Sequence, residues 1–151
     1  MTPPTTPPMD TPATTPAITT DTLQSALSDW FAPWVQALGL KVESFQTDEV
    51  VLRLPQNPAL SRIGGMVCGQ ALMAAADTAM VLAIVTRLGN QRPMTTVQLN
   101  SSFLKPLANQ DALVTARVLR AGKSLVFGEI DIVAAGDGKS VCRTSTTYAL
   151  L

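Results

Sequence analysis

With 151 residues, the chain is long enough for one compact domain with a genuine core and leaves little room for two. Eleven basic and eleven acidic residues balance to zero, so no electrostatic footprint for nucleic acid exists, and the low 15% charged content points to surface buried against another copy. Histidine is absent altogether, which removes the commonest general base, the commonest metal ligand and every Ser-His or Cys-His nucleophile.

Residues 1–20 are Thr/Pro-rich and nearly free of large apolar side chains, which predicts a disordered tail ahead of a single domain over 21–151. The tail has neither a basic n-region nor an apolar h-region, so a cytoplasmic protein is expected rather than a secreted one. Cys68 and Cys142 lack metal-like spacing and fit free thiols in a reducing compartment. From Thr22, the spacing of Leu23, Leu27, Trp30, Phe31, Trp34 and Leu38 predicts a helix. Its N-cap is expected at Asp21 or Thr22, a kink or break at Pro33, and a stop at Gly39. Leu40–Gln46 and Glu49–Leu54 read as a hairpin turning at Thr47-Asp48. Pro55, Asn57 and Pro58 break the pattern before a second, apolar helix over Cys68–Leu88, which Gly89–Pro93 ends. Three or four strands are predicted to follow, over Thr95–Leu104, Ala112–Arg120, Ser124–Ala134 and Ser140–Leu150. In the first, Val97, Leu99 and Phe103 alternate with Thr96, Gln98 and Asn100, the period of a sheet buried on one face.

The apolar helix is the centre of the functional argument. Its length would suit a bilayer, but Asp77 near the midplane and Gln70 in lipid argue against a span, and the amphipathic strands around it need a covering helix. No membrane association is expected. Asp77 is then a carboxylate on a helix buried almost all round, which is costly unless it is hydrogen-bonded or used. Helical spacing puts it on one side with Gln70, Met73, Met80, Val81 and Ile84. Gly64, Gly65 and Gly69 precede or open the helix, where unpaired N–H groups form an oxyanion site.

Two stretches resemble a known family. Gly65-Met66-Val67-Cys68-Gly69-Gln70-Ala71-Leu72, followed by Ala76-Asp77-Thr78-Ala79, is similar to the helix start of hotdog acyl-CoA thioesterases of the phenylacetate-degradation type. Thr96-Val97-Gln98-Leu99-Asn100-Ser101-Ser102-Phe103-Leu104-Lys105-Pro106 resembles that family's next strand. The resemblance covers about residues 40–150. It implies an α+β hotdog fold, an antiparallel sheet wrapped around one long helix, with subunits paired as a homodimer and in some relatives as a dimer of dimers. It implies that Asp77 is the general base or nucleophile, that the Gly69 N–H polarises the thioester carbonyl, and that Thr96 helps place the water. The acid of one chain would face the glycine of the other. The substrate would be acyl-CoA or another acyl thioester, with coenzyme A as part of the substrate and no separate cofactor or metal.

Three positions depart from the family pattern. Cys68 stands where the family has histidine, Gln70 where it has a second glycine, and Ser61 or Arg62 where it has asparagine. Cys68 and Gln70 are kept as substrate-binding candidates, with Gln70 rather than Cys68 expected to help place the carbonyl or water. Asn100, Lys105, Arg120 and Lys123 join them, the three cations as partners for coenzyme A phosphates. A non-hydrolytic acyl-CoA-binding protein is the alternative. A hydratase is disfavoured, because hotdog hydratases need a histidine.

Overall fold

The computed structural model describes Thr2 and residues 17–151; most of the predicted tail lies outside them. Helix α1 (Thr20–Asp29) begins earlier than Asp21 or Thr22 would allow, because Thr19 and Thr22 form a reciprocal capping box. The Thr19 hydroxyl accepts from the Thr22 N–H at 3.1 Å, and the Thr22 hydroxyl accepts from the Thr19 N–H at 2.8 Å. Pro33 divides the helical run. It is the first residue of the short α2 (Pro33–Gln36), where a missing N–H leaves no helical bond unmade. Gly39 then turns the chain at φ 69°.

Strands β1 (Lys41–Gln46) and β2 (Glu49–Leu54) form the predicted hairpin. Its tip docks on the end of the long helix α3 (Gly69–Leu88): the Asp48 N–H donates to the Thr86 hydroxyl at 3.0 Å, and Arg87 pairs with the Asp48 carboxylate at 2.8 Å. Gly89 ends α3 in the left-handed conformation at φ 77°. Strands β3 (Met94–Phe103), β4 (Ala112–Ala121), β5 (Leu125–Ala134) and β6 (Ser140–Leu150) complete a six-stranded antiparallel sheet in the order β1-β2-β4-β5-β6-β3.

The sheet curls around α3, and the core lies between them. Val50, Leu52 and Leu54 of β2, Val114 and Ala116 of β4, and Ile130 and Ile132 of β5 are fully buried with Ala75, Ala76, Ala79 and Leu82 of the helix. Met80, which helical spacing places beside Asp77, is instead fully buried with its thioether over Gly128 of β5. Ile84 is likewise fully buried, so the open side of α3 narrows to Gln70, Met73, Ala74, Asp77, Val81 and Leu88. Although α3 has a mean hydropathy of 1.6 and the length to cross a bilayer, the fold gives it a protein partner on most sides. One long helix wrapped by an antiparallel sheet is the α+β hotdog arrangement that the resemblance implied.

Candidate active site at Asp77 and Gly69

Asp77 sits half-buried in the middle of α3, and two hydroxyls converge on one of its oxygens. The Thr96 hydroxyl donates to Oδ1 at 2.9 Å. The Tyr148 phenol makes a short contact with the same Oδ1 and lies 2.9 Å from the Asp77 carbonyl oxygen. Tyr148 is 1% exposed. Its burial, then the adjacent Asp77 charge, pushes the phenol pKa far above the usual range, so it remains a donor. None of the described hydrogen bonds engages Asp77 Oδ2, which leaves that oxygen for a ligand or water.

Thr96 reaches Asp77 because of a β-bulge. The β3–β6 register shifts between Thr96 and Gln98, so Thr96 pairs with the inward-facing Tyr148, and Gln98 with the outward Thr147. Strict alternation would place Thr96 on the face of Gln98 and Asn100 and turn Val97 inward. The structure has Thr96 inside and Val97 59% exposed. Asp77, Thr96 and Tyr148 line a cavity of about 260 Å³ whose opposite wall is Phe31, Trp34 and Val35 of the α1–α2 segment.

Gly69 occupies the other end of the site. Cys68 is the N-cap residue but its side chain makes no capping bond. The Ala71 and Leu72 N–H groups bond to the Cys68 carbonyl, whereas the Gly69 and Gln70 N–H groups, in the first turn, have no helical acceptor. A Cβ on Gly69 would lie 3.2 Å from the Phe103 ring, so glycine serves close packing here as well as leaving its N–H open. Gly69, Phe103, Arg62 and Lys105 share a cavity of about 330 Å³, which sets two cations beside the helix start.

The remaining candidates spread out. Gln70 is exposed at the helix start and lines neither cavity; Cys68 is a half-buried free thiol. Asn100 lies opposite Ser145 on the outer sheet face, in a surface hollow with Asp131 and Arg143. Arg120 and Lys123 are exposed at the β4–β5 connection and line neither cavity. Ser61 pairs with Val67 through an isolated bridge, while Arg62 borders the Gly69 cavity. Among the described residues, no group of three thiol or carboxylate side chains comes close enough to hold a metal ion. Tyr148 is the site residue that the sequence motifs do not reach.

Asp77 and Gly69 are eight residues apart on one helix, about 12 Å along its axis, and they line different cavities. A single carbonyl carbon cannot meet both within one chain.

The model of the Thioesterase superfamily matches residues 64–141, a span that holds Gly69, Asp77 and Thr96 and stops short of Tyr148. A Saccharolobus solfataricus protein named as an esterase is 31% identical over 105 residues, covering 70% of this chain and 68% of its own length. Among solved structures, a Haemophilus influenzae thioesterase superposes with a TM-score of 0.81 at 20% identity, over 91% of this chain and 93% of its own. A mutant of the phenylacetic acid degradation protein of Thermus thermophilus does so with a TM-score of 0.70 at 26% identity, over 80% of this chain and all of its own.

Proposed function

We propose that this chain, which belongs to the thioesterase superfamily, hydrolyses acyl-CoA thioesters at a site shared by two copies. The observation that carries this reading is the asymmetric hold on Asp77, a residue that lines the cavity: Oδ1 takes the Thr96 and Tyr148 hydroxyls, and none of the described hydrogen bonds engages Oδ2. A carboxylate fixed by one oxygen presents the other as a base or nucleophile in a defined direction.

With a second copy supplying the helix start, its Gly69 N–H donates to the thioester carbonyl oxygen as charge builds there. Asp77 Oδ2 takes a proton from the attacking water, or attacks the carbonyl carbon itself. On the first route the C–S bond breaks, the acid is released with the water's oxygen, and Asp77 passes the proton it took to the departing thiolate. On the second the thiolate leaves an Asp77 acyl anhydride, which water hydrolyses to the acid and free Asp77 while supplying the thiol's proton. Arg62 and Lys105 beside Gly69 suit the phosphates of coenzyme A, and Gln70 at the same helix start offers an amide to the carbonyl or water. Cys68 has no base against it and acts as a small packing residue. The same fold, lacking histidine, would also serve a carrier that binds acyl-CoA without cleaving it.

A thiol-release assay across an acyl-CoA panel tests the proposal. Asp77→Asn should lose most of kcat on the best substrate while keeping fold and oligomeric state. Full turnover by Asp77→Asn would remove Asp77 from the chemistry. Tight acyl-CoA binding without thiol release by the unmodified protein would identify the carrier instead.

A further inference from the structure

Asp77, Val81, Val85 and Gly89 follow one another at four-residue intervals along α3, on a ridge that winds about a third of a turn around the helix between its ends. Three cavities lie in sequence along that line. The first, about 260 Å³, contains Asp77 and shares Phe31, Val81 and Met94 with a second of about 240 Å³. The second shares Trp30, Val85 and Gln91 with a third of about 200 Å³, which reaches Gly89. The run from Asp77 to Gly89 is twelve residues, about 18 Å of helix.

Its walls carry Thr78, Thr95, Thr96 and Tyr148 around Asp77 and become mostly apolar toward Gly89. Among the described lining residues, the charged side chains are Asp77 at one end and Arg92 beside the middle. Trp34 is 63% and Trp30 38% exposed, so aromatic surface along the groove is left to water. A compact aryl acyl group would fill the first cavity and leave the other two empty. A linear chain would follow all three, and at roughly 1.2 Å per bond an extended chain of about fifteen bonds spans the run. Residues 1–16 are a poor occupant, since Met1, Met9 and Ala13 are their only apolar side chains besides proline.

We infer that the acyl group of the substrate is a linear, medium- to long-chain fatty acyl, which lies along α3 from Asp77 toward Gly89 beneath Trp34, Phe31 and Trp30. The inference rests on the hydrolase reading of Asp77 and adds the substrate class to it.

The test uses two readouts. In thiol release over saturated acyl-CoA esters from acetyl to palmitoyl, kcat/KM should rise about fourfold per methylene, the ratio given by burying one methylene, and level off when the groove is full. Val81→Phe, at the junction of the first two cavities, should lower the lauroyl-to-butyryl ratio at least tenfold. A flat series, a preference for phenylacetyl-CoA, or an unchanged ratio in Val81→Phe overturns the chain-length inference, while Asp77-dependent turnover keeps the hydrolase reading standing. The second readout needs no turnover. Trp30 and Trp34 are the chain's only tryptophans, so their emission reports groove occupancy directly. Lauroyl-CoA added to Asp77→Asn protein should shift that emission to the blue and saturate, and coenzyme A alone should not. No shift overturns the inference, as does a ligand-free emission that is already blue and reddens on dilution, which would mean that a second copy covers the groove.

Discussion

A carboxylate becomes useful when its two oxygens are made different, and at Asp77 two hydroxyls do this from separate strands. Removing either donor while keeping the shape tests how much that matters. Tyr148→Phe deletes one hydroxyl from a fully buried ring and should lower kcat about tenfold to a hundredfold, the cost of a hydrogen bond to a charged group, with KM little changed. Thr96→Val should act in the same direction. Because both donors meet Oδ1, the double variant should lose less than the product of the two, which steady-state kinetics on all three variants will measure. Wild-type kcat in Tyr148→Phe would limit the phenol to a structural role. Asp77, Gly69 and Thr96 were legible in the sequence because they sit in two short, local words. Tyr148 was not, since it lies 71 residues from Asp77 and belongs to neither word. Its one signal was weak: the chain's only tyrosine falls on the core side of a strand, where a phenol needs a polar partner.

Among the elements, periodicity placed the six strands and the two long helices because the apolar faces are strong, and the bounds of β2 and β6 are those expected. It did not place the short 3-10 helix Pro58–Leu60, which falls in the stretch read as a loop. The misplaced features depend on partners that periodicity does not see. The bulge at Val97 carries no glycine or proline and exists only in the pairing with β6, so strict alternation turned Thr96 the wrong way. Met80 is drawn inward because β5 offers a gap at Gly128, where a Cβ would lie 2.1 Å from the Met80 Cε and 2.9 Å from the Arg117 carbonyl oxygen. The methionine can yield but the backbone cannot. Gly128→Ala should therefore cost about 1–3 kcal/mol, read as a lower urea midpoint. Ion pairs across the strands predict the acid limit. Asp111 accepts from the Gln56 N–H and from Arg53, and Asp131 from Arg143 and Arg117, each holding its carboxyl below the ordinary range. A lowered folded pKa contributes stability that is complete above the unfolded value of about 3.9 and is lost as pH falls through the folded value. Thermal midpoints should drop steeply below about pH 4, and less steeply in Asp131→Asn.

For the whole molecule, two observations point to a second copy. The ten-residue β3 pairs only with β6, leaving a long edge with Val97 59% and Phe103 51% exposed, and natural sheets rarely leave such an edge bare. The acid and the open N–H are also about 12 Å apart in one chain. In the proposed shared site a two-fold pairing would cover the edge and bring Asp77 of each copy to Gly69 of the other, so light scattering should give at least a dimer at micromolar concentration. Mixing two disabled chains tests the shared site itself. Gly69→Pro removes one N–H without breaking α3, because proline is tolerated at the first helical position and Cys68 already has the extended φ −69°, ψ 148° that a following proline requires. The added Cβ, 3.2 Å from the Phe103 ring, asks that 51% exposed ring to shift slightly. Gly69→Pro and Asp77→Asn should each be nearly inactive alone. Co-refolded in equal amounts, half the dimers are mixed and each holds one intact site, which returns about a quarter of the wild-type activity. If the mixture stays as inactive as its parts while forming dimers, acid and glycine do not meet across the pair.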